Sequence, residues 1–259
     1  MPEGLEVEIW RRASAPLVGR RIERAWVDDR VAPDGFADEV ERARIGSVSR
    51  RGKVLLLGLE DGPVIGLHFG MTGRLVVDGS AAIERLAYAS GADRAEWDRL
   101  RIWSGDGRCV EPALRMNDPR RLGRVSLDPD LSELGPEAST LTGARLRSAI
   151  GRRRSPIKSV LLNQHVVAGL GNLCVDEVLF DAGVAPHRTV DDLSAEEIDR
   201  LARSCRRRLA EMLALGGSTH GVLDPHRRAS LDACPLDGSP LRRSTIGGRT
   251  TIWCPAHQA

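Results

Sequence analysis

The sequence predicts an α+β protein: an amino-terminal helix and a β-sandwich, then a helical half and a small cysteine-bearing β-hairpin. Three observations carry this. Residues 20–127 alternate apolar and polar side chains in short runs bounded by turn residues. Beyond about residue 140 the period becomes helical. From residue 230 the tail is short, and Cys234 and Cys254 each open a three-residue step.

The elements follow in order. Val7, Trp10 and Ala13 stand near helical spacing within 3–15, and Pro16 ends that run. RIERAWVD alternates as a strand, and KVLLLGLEDGPVIGLHF reads as two strands joined at Asp61-Gly62, a strong hairpin signal. RLVVDG and RCVEPALRM add further strands. The Asp-, Ser-, Pro- and Gly-rich stretch 128–140 marks a domain boundary. Helices are expected over 141–151, 155–166 and 173–182, with the glycine-bearing turn VVAGLGN before the last of them. Ser194 and Glu197 form a capping box for a long helix, which buries Ile198, Leu201, Ala202, Cys205, Leu209 and Met212 and ends at Gly216-Gly217.

The 259 residues suffice for one large domain or two medium ones. A 41% apolar and 29% charged composition is that of an ordinary globular protein. No run of about 18 apolar residues suggests a membrane span. The start MPEGLEVEIW is not a signal peptide, so a cytoplasmic, nucleoid-associated location is expected. Net charge is only +2, but of 38 basic residues just Lys53 and Lys158 are lysine. A GC-rich genome explains most of that bias; arginine also suits bidentate phosphate contact. Cys109, Cys174 and Cys205, scattered among apolar neighbours, read as buried free thiols of a reducing compartment.

Four patterns carry chemistry. Cys234-Pro-Leu-Asp237 and Cys254-Pro-Ala-His257, on the turns of a hairpin, set Cys234, Asp237, Cys254 and His257 around one point, as a tetrahedral zinc (Zn2+) site requires. A metal-free hairpin with merely buried cysteines is the competing reading. The turn holding Gly169, Gly171 and Asn172 at a helix start offers backbone N–H groups to a phosphate, with Lys158 one helix upstream. HFGMTG sets Met71 in a turn, and NDPRRLG sets Arg120, Arg121 and Leu122 in another. On loop tips they suit insertion into a base stack; at strand ends Met71 and Leu122 are core residues. Finally, removal of Met1 leaves Pro2 with a free secondary amine. With a reference pKa of about 8, an α-amino group is substantially deprotonated at neutral pH and attacks aldehydic carbons to form Schiff bases. Glu3 beside it can move protons.

Together these motifs resemble the formamidopyrimidine-DNA glycosylase/endonuclease VIII family of bifunctional repair enzymes. They are Pro2-Glu3 with Glu6, RRGKVLLL around Lys53, HFGMTG, NDPRRLG, IKSVLLNQHVVAGLGNLCVDEVLF and GGRTTIWC, in the family order across essentially the whole chain. The resemblance implies a catalytic β-sandwich domain over 1–130, a helix–two-turn–helix domain over 131–225 and a zinc-finger-like hairpin over 226–259. It implies that Pro2 attacks C1′ of a damaged nucleotide, expels the base and cleaves the backbone by β- and δ-elimination. Glu3 matches the acid that assists ring opening, Glu6 a further carboxylate, and Lys53 the lysine that reaches the lesion phosphate and sugar. Gly169, Gly171 and Asn172 match a phosphate clamp, Arg249 a hairpin arginine that grips flanking phosphates, and Met71, Arg120 and Leu122 the void-filling set. The implied partner is damaged double-stranded DNA, met by a monomer with no membrane.

The chain departs from the family in four places. Leu5 stands where proline is usual, Leu122 where phenylalanine is usual, and Asp237 and His257 replace two cysteines. The segment from Gly217 to Cys234 is short, whereas enzymes acting on 8-oxoguanine carry a longer loop there. An oxidised pyrimidine, an abasic site or an unusual lesion is therefore expected rather than mainly 8-oxoguanine. A non-catalytic damaged-DNA-binding protein of the same fold is the alternative.

Overall fold

The computed structural model describes residues 2–83, 86, 91–104, 110–223, 226, 228 and 230–259. The chain divides into two compact units, Met1–Leu131 and Ser132–Ala259.

The first unit opens with helix α1 (Gly4–Ala13), followed by β1 (Ile22–Val27) and the short α2 (Phe36–Val40). Next come β2 (Ile45–Arg51), β3 (Val54–Leu59), β4 (Val64–His68) and β5 (Arg74–Val77). β6 (Asp98–Ser104), β7 (Leu114–Asn117) and β8 (Arg124–Leu127) complete it. The strands form two antiparallel four-stranded sheets, ordered β1-β6-β7-β5 and β2-β3-β4-β8. Alternation sets one face of each strand inward: in β3, Leu55, Leu57 and Leu59 are buried and the residues between them half-buried. A single core joins apolar side chains of both sheets with Val7 and Trp10 of α1. Trp10 stacks on Phe69, ring centroids 4.2 Å apart, which fixes α1 against the end of β4.

One strand expectation needs adjustment, and one short helix is unexpected. The strand expected in RCVEPALRM begins only at Leu114, and Arg108 and Cys109 lie outside the described residues. α2, five residues long, is too short to leave a readable period in the sequence.

The second unit contains α3 (Gly143–Ile150), α4 (Ile157–Leu162), α5 (Asn172–Ala182) and α6 (Ala195–Leu215), then β9 (Arg242–Ile246) and β10 (Arg249–Trp253). α6 starts with the expected capping box. The Ser194 hydroxyl accepts the Glu197 N–H at 3.2 Å, and the Glu197 carboxylate accepts the Ser194 N–H at 2.7 Å. All six residues of its predicted apolar face are buried. α4 ends four residues earlier than the periodicity suggests. The Asn163 side chain accepts the His165 N–H at 3.0 Å, a local turn that competes with the next helical bond. β9 and β10 form the hairpin, joined by Gly247 and Gly248 at φ +58° and +70°, the doubly left-handed pair of a tight hairpin turn. Its core includes Ile252, Cys234 and Cys254 packed with Phe180 of α5. Cys174 and Cys205 are buried free thiols, and burial pushes the Cys205 thiol up to about 12. Among the described residues no helix is long and apolar enough to cross a membrane.

Candidate functional site

The start of α1 is a buried, polar construction. Pro2 is buried, as are Glu3 and Glu6. Glu3 is the helix N-cap, and the Glu6 carboxylate reaches back to accept the Glu3 N–H at 2.7 Å, closing a capping box. Two carboxylates at a helix N-terminus meet its positive end. The backbone directly after Pro2 is thereby held in one position.

α1 packs on β2 and β3. Glu8 accepts Arg11 and Arg12 and pairs with Arg50 of β2. Burial opposes ionisation of Glu8, but these guanidinium groups outweigh it and hold the carboxyl below its usual range. Arg50 also donates to the Gly52 carbonyl at 2.6 Å, so the turn carrying Lys53 is tied to α1. Lys53 is 8% exposed, and Val54 beside it pairs with His68 across the sheet. Burial, then the charges of Lys53 and Arg124, hold the His68 imidazole below its usual range. Its Nδ1 accepts the Gly70 N–H at 3.3 Å, as a neutral ring can.

Met71 is half-buried, while Arg120, Arg121 and Leu122 are exposed, Leu122 by 46%. Leu122 is thus no core residue. One buried carboxylate holds both loops. Asp118 accepts the Thr72 hydroxyl at 2.6 Å, the Arg120 N–H at 3.2 Å, and the Leu122 and Gly123 N–H groups at 2.8 Å each. The loops touch through backbone: a Cβ on Gly70 would lie 2.4 Å from the Leu122 carbonyl carbon, at a φ of +56°. The Arg120 guanidinium lies 3.7 Å from the Met71 sulfur. Arg121, expected to meet DNA, is exposed, has φ +52° and pairs with Asp28 at 3.2 Å, a carboxylate that also accepts Arg99 at 3.0 Å.

In the second unit the Gln164 side chain organises the glycine turn. Its Oε1 accepts the Gly169 N–H at 2.9 Å, and its Nε2 donates to the Leu170 carbonyl at 2.8 Å. The Gly169 N–H is therefore spent inside the turn rather than offered outward. Gly171 is the N-cap of α5 and Asn172 its first residue. Lys158 does not offer its charge to solvent either. It is wholly buried, and its ammonium donates to Asp176 at 2.6 Å and to the Thr250 carbonyl at 3.2 Å. Arg228 meets the other Asp176 oxygen and also donates to the Thr250 carbonyl at 3.0 Å; Asn172 Nδ2 does so at 3.1 Å. Three donors thus seat β10 at the residue after Arg249, which is exposed. The hairpin tip approaches α4, where a Cβ on Gly247 would lie 2.9 Å from Ser159 Oγ.

Donor atoms of Cys234, Asp237 and Cys254 lie within 4.8 Å of one another, close enough to hold a metal ion. His257 does not join them. Its Nε2 is bonded to the Phe180 carbonyl at 2.7 Å and its ring packs on Phe180 at 4.8 Å. Through that bond the imidazole braces the end of α5.

The chain matches the model of the formamidopyrimidine-DNA glycosylase N-terminal domain over residues 1–125 and that family's H2TH domain over 134–224. It belongs to the formamidopyrimidine-DNA glycosylase family. A relative named formamidopyrimidine-DNA glycosylase from Paracoccus denitrificans is 34% identical, and one of the same name from Geobacter metallireducens is 36% identical; both matches cover all of both chains. Two solved structures of the Lactococcus lactis enzyme Fpg also resemble the chain. One holds DNA containing an abasic site, with a TM-score of 0.79, and one, of a mutant enzyme, holds DNA containing Fapy-dG, with a TM-score of 0.80. Each is 27% identical and covers 99% of both chains.

Sequence reasoning names the motif residues but misses those that support them. Asp118 lies inside the NDPRRLG motif, and its polar, turn-forming type is the available signal. Thr72 and His68 lie near Met71 in the same way. Asp28, Asp176 and Arg228 carry no local signal, since their partners are distant in sequence.

Two outcomes test this geometry. Asp118→Ala strands three backbone N–H groups and a hydroxyl, so unfolding stability falls by on the order of 3 kcal/mol; a loss below about 1 kcal/mol in urea titration contradicts the tie. Because the folded His68 pKa is depressed, the unfolded chain takes up the proton first. Stability is full above pH about 6.5 and is lost as pH falls through that value toward the lower folded pKa. His68→Gln should flatten the fall in melting temperature between about pH 7 and 5, and an unchanged pH profile speaks against the assignment.

Proposed function

We propose that the chain is a base-excision DNA glycosylase with abasic-site lyase activity, and that Pro2 is its nucleophile. The observation carrying this reading is the buried start of α1, where Glu6 clamps the backbone of Glu3 directly behind Pro2. A nucleophile at a chain terminus needs such a clamp, because terminal residues otherwise fray. Removal of Met1 frees the secondary amine. Its lone pair attacks C1′ of the damaged nucleotide, the base leaves with the glycosidic electron pair, and the N–H proton that the proline nitrogen loses balances the one the departing base takes up. Glu3 protonates the ring oxygen as the sugar opens, giving an iminium ion on Pro2. Loss of a C2′ proton expels the 3′ phosphate, and a second elimination expels the 5′ phosphate. Lys53 supplies the positive charge for the lesion phosphate. Glu6 is a positioning residue.

The wedge is Met71 with Leu122 and Arg120, stiffened by Asp118. Arg249 and the start of α5 take the flanking phosphates; Lys158 and Asn172 support them from behind by seating Thr250. Arg121 keeps its loop in shape through Asp28.

Base choice departs from 8-oxoguanine. The segment after α6 is short, and its stretch up to Leu223 is held on α5 by Glu177. That buried carboxylate accepts the Val222 and Leu223 N–H groups at 3.1 and 2.6 Å and the Arg208 guanidinium at 3.1 Å. An aliphatic wedge also fills less space than an aromatic one. Oxidised pyrimidines and abasic sites fit this reading.

A structural zinc ion fits the hairpin. Two thiols and one carboxylate converge, and the metal would cross-link the two ends of a segment with little core. Cys234, Asp237 and Cys254 would hold it.

Three measurements follow. Borohydride with abasic DNA should trap the processed enzyme covalently, with trapping reduced at least about 100-fold in Pro2→Gly; no adduct with the unmodified enzyme removes the lyase claim. On a lesion panel under single-turnover conditions, an oxidised pyrimidine or abasic site should be processed faster than 8-oxoguanine opposite cytosine, and the reverse order overturns the proposed base preference. Metal analysis should find one zinc per chain in the parent and in His257→Ala, and little in Cys254→Ala; loss of zinc from His257→Ala contradicts the three-residue assignment.

A further inference from the structure

We propose that one face of α6 is a second contact for the phosphate backbone of duplex DNA, separate from the glycine turn and the Arg249 hairpin. This rests on the reading of the chain as a DNA-binding enzyme. The site is an open depression of about 600 Å3 where the end of α5 meets the middle of α6. Arg200, Arg203, Arg206 and Arg207 line it, with Asp181 and Ser204. Four guanidinium groups thus face one carboxylate in a protein whose total charge is only +2.

That carboxylate is already committed. One Asp181 oxygen takes Arg207, and the other accepts the Ser204 hydroxyl at 2.6 Å. Arg206 donates to the Leu141 carbonyl, and Arg200 donates to the Ala182 carbonyl at 3.3 Å and lies 3.9 Å from Glu197. Arg203 is exposed, and its guanidinium makes no hydrogen bond or ion pair with a described residue. Arg200, Arg203 and Arg207 stand at i, i+3 and i+7, one stripe about 10 Å long. Like charges at such spacing repel; Glu197 offsets Arg200, and Asp181 and Glu211 offset Arg207, while the Arg203 guanidinium pairs with no described residue, and none of the three serves the apolar face of the helix. A row of exposed guanidinium groups that does not serve the core, with one of them unpaired among the described residues, suits an external anion.

The lining favours phosphodiesters over an acidic peptide. Among the residues lining the depression, Ala182 is the one apolar side chain, so a peptide finds no pocket for an anchoring residue. Guanidinium groups in a row are what a phosphate backbone requires. The stripe lies at the C-terminal end of α5, whereas the glycine turn lies at its N-terminal end, 11 residues and about 15 Å away. A phosphate gripped at one end is not the phosphate gripped at the other. The second contact allows the protein to hold one DNA segment while meeting another, and so to pass between segments in search of a lesion.

The test uses the full-length protein and short undamaged duplexes at low salt. The parent should bind two duplexes per chain in sedimentation analysis. Arg200→Gln/Arg203→Gln/Arg207→Gln should bind one, and the salt slope of total binding should fall by about 2–3, at roughly 0.9 for each phosphate no longer neutralised. Transfer of labelled enzyme between duplexes should stop accelerating with competitor concentration, while single-turnover excision on a short lesion duplex stays within about twofold. Arg203→Glu, at an exposed position that pairs with no described residue, should give the same loss of the second duplex without any question of folding. Equal stoichiometry and slope in parent and variants overturn the proposal. So does loss of excision together with the first duplex, which would make the stripe part of the primary site. Binding of polyglutamate but not a second duplex assigns the face to an acidic protein instead. A parent that binds no duplex at all refutes the underlying DNA-binding reading rather than the placement of this face.

Discussion

A buried carboxylate that gathers N–H groups or cations from a short segment is the device on which each functional part of this molecule depends. Asp118 is the fullest case, holding two loops through one hydroxyl and three backbone donors. Glu6 does the same for the chain start, Glu177 for the segment after α6, and Asp176 for the hairpin through Lys158 and Arg228. Loops and termini have too little apolar surface to be fixed by burial. A buried charge fixes them another way. It tolerates no missing partner, so the segments it binds are ordered together or not at all.

This explains which features are legible in the sequence. The sandwich strands, the face of α6 and its capping box all follow from local period and cap chemistry, and local rules decide them. The motif residues Pro2, Glu3, Lys53, Met71 and Arg120 can be named because their residue types suggest chemistry. Their supports cannot. Asp28 reaches Arg121 and Arg99 across 93 and 71 residues of chain, and Asp176 reaches Arg228 across 52. No pattern in a single sequence encodes such pairs. His257 joins a local to a distant feature: its three-residue step from Cys254 has metal-ligand spacing, and its Nε2 is bonded to the Phe180 carbonyl, 77 residues earlier in the chain.

The hairpin shows two fastening principles on one small element. At one end, three side-chain donors converge on the Thr250 carbonyl. At the other, Cys234, Asp237 and Cys254 form a cluster fit for a metal. Between them, Ile252 and Leu241 contribute little core. The polar end sits beside Arg249, so the position of the exposed arginine is governed by the Asp176 network. The cysteine end governs whether the strand termini stay together. Losing one fastening therefore need not release the other.

The two lysines sharpen the same point. In a chain where arginine supplies nearly every positive charge, both lysines are buried, Lys53 at 8% and Lys158 at 0% exposure. An ammonium is compact, with donors arranged around one atom. At Lys158 that geometry reaches the Asp176 carboxylate and the Thr250 carbonyl from within a packed interior. A planar guanidinium would need more volume and leave further N–H groups to satisfy. The compact ammonium of Lys158 therefore suits this interior. A compositional oddity that suggests a nucleic-acid surface points, at this position, to the interior that holds that surface in place.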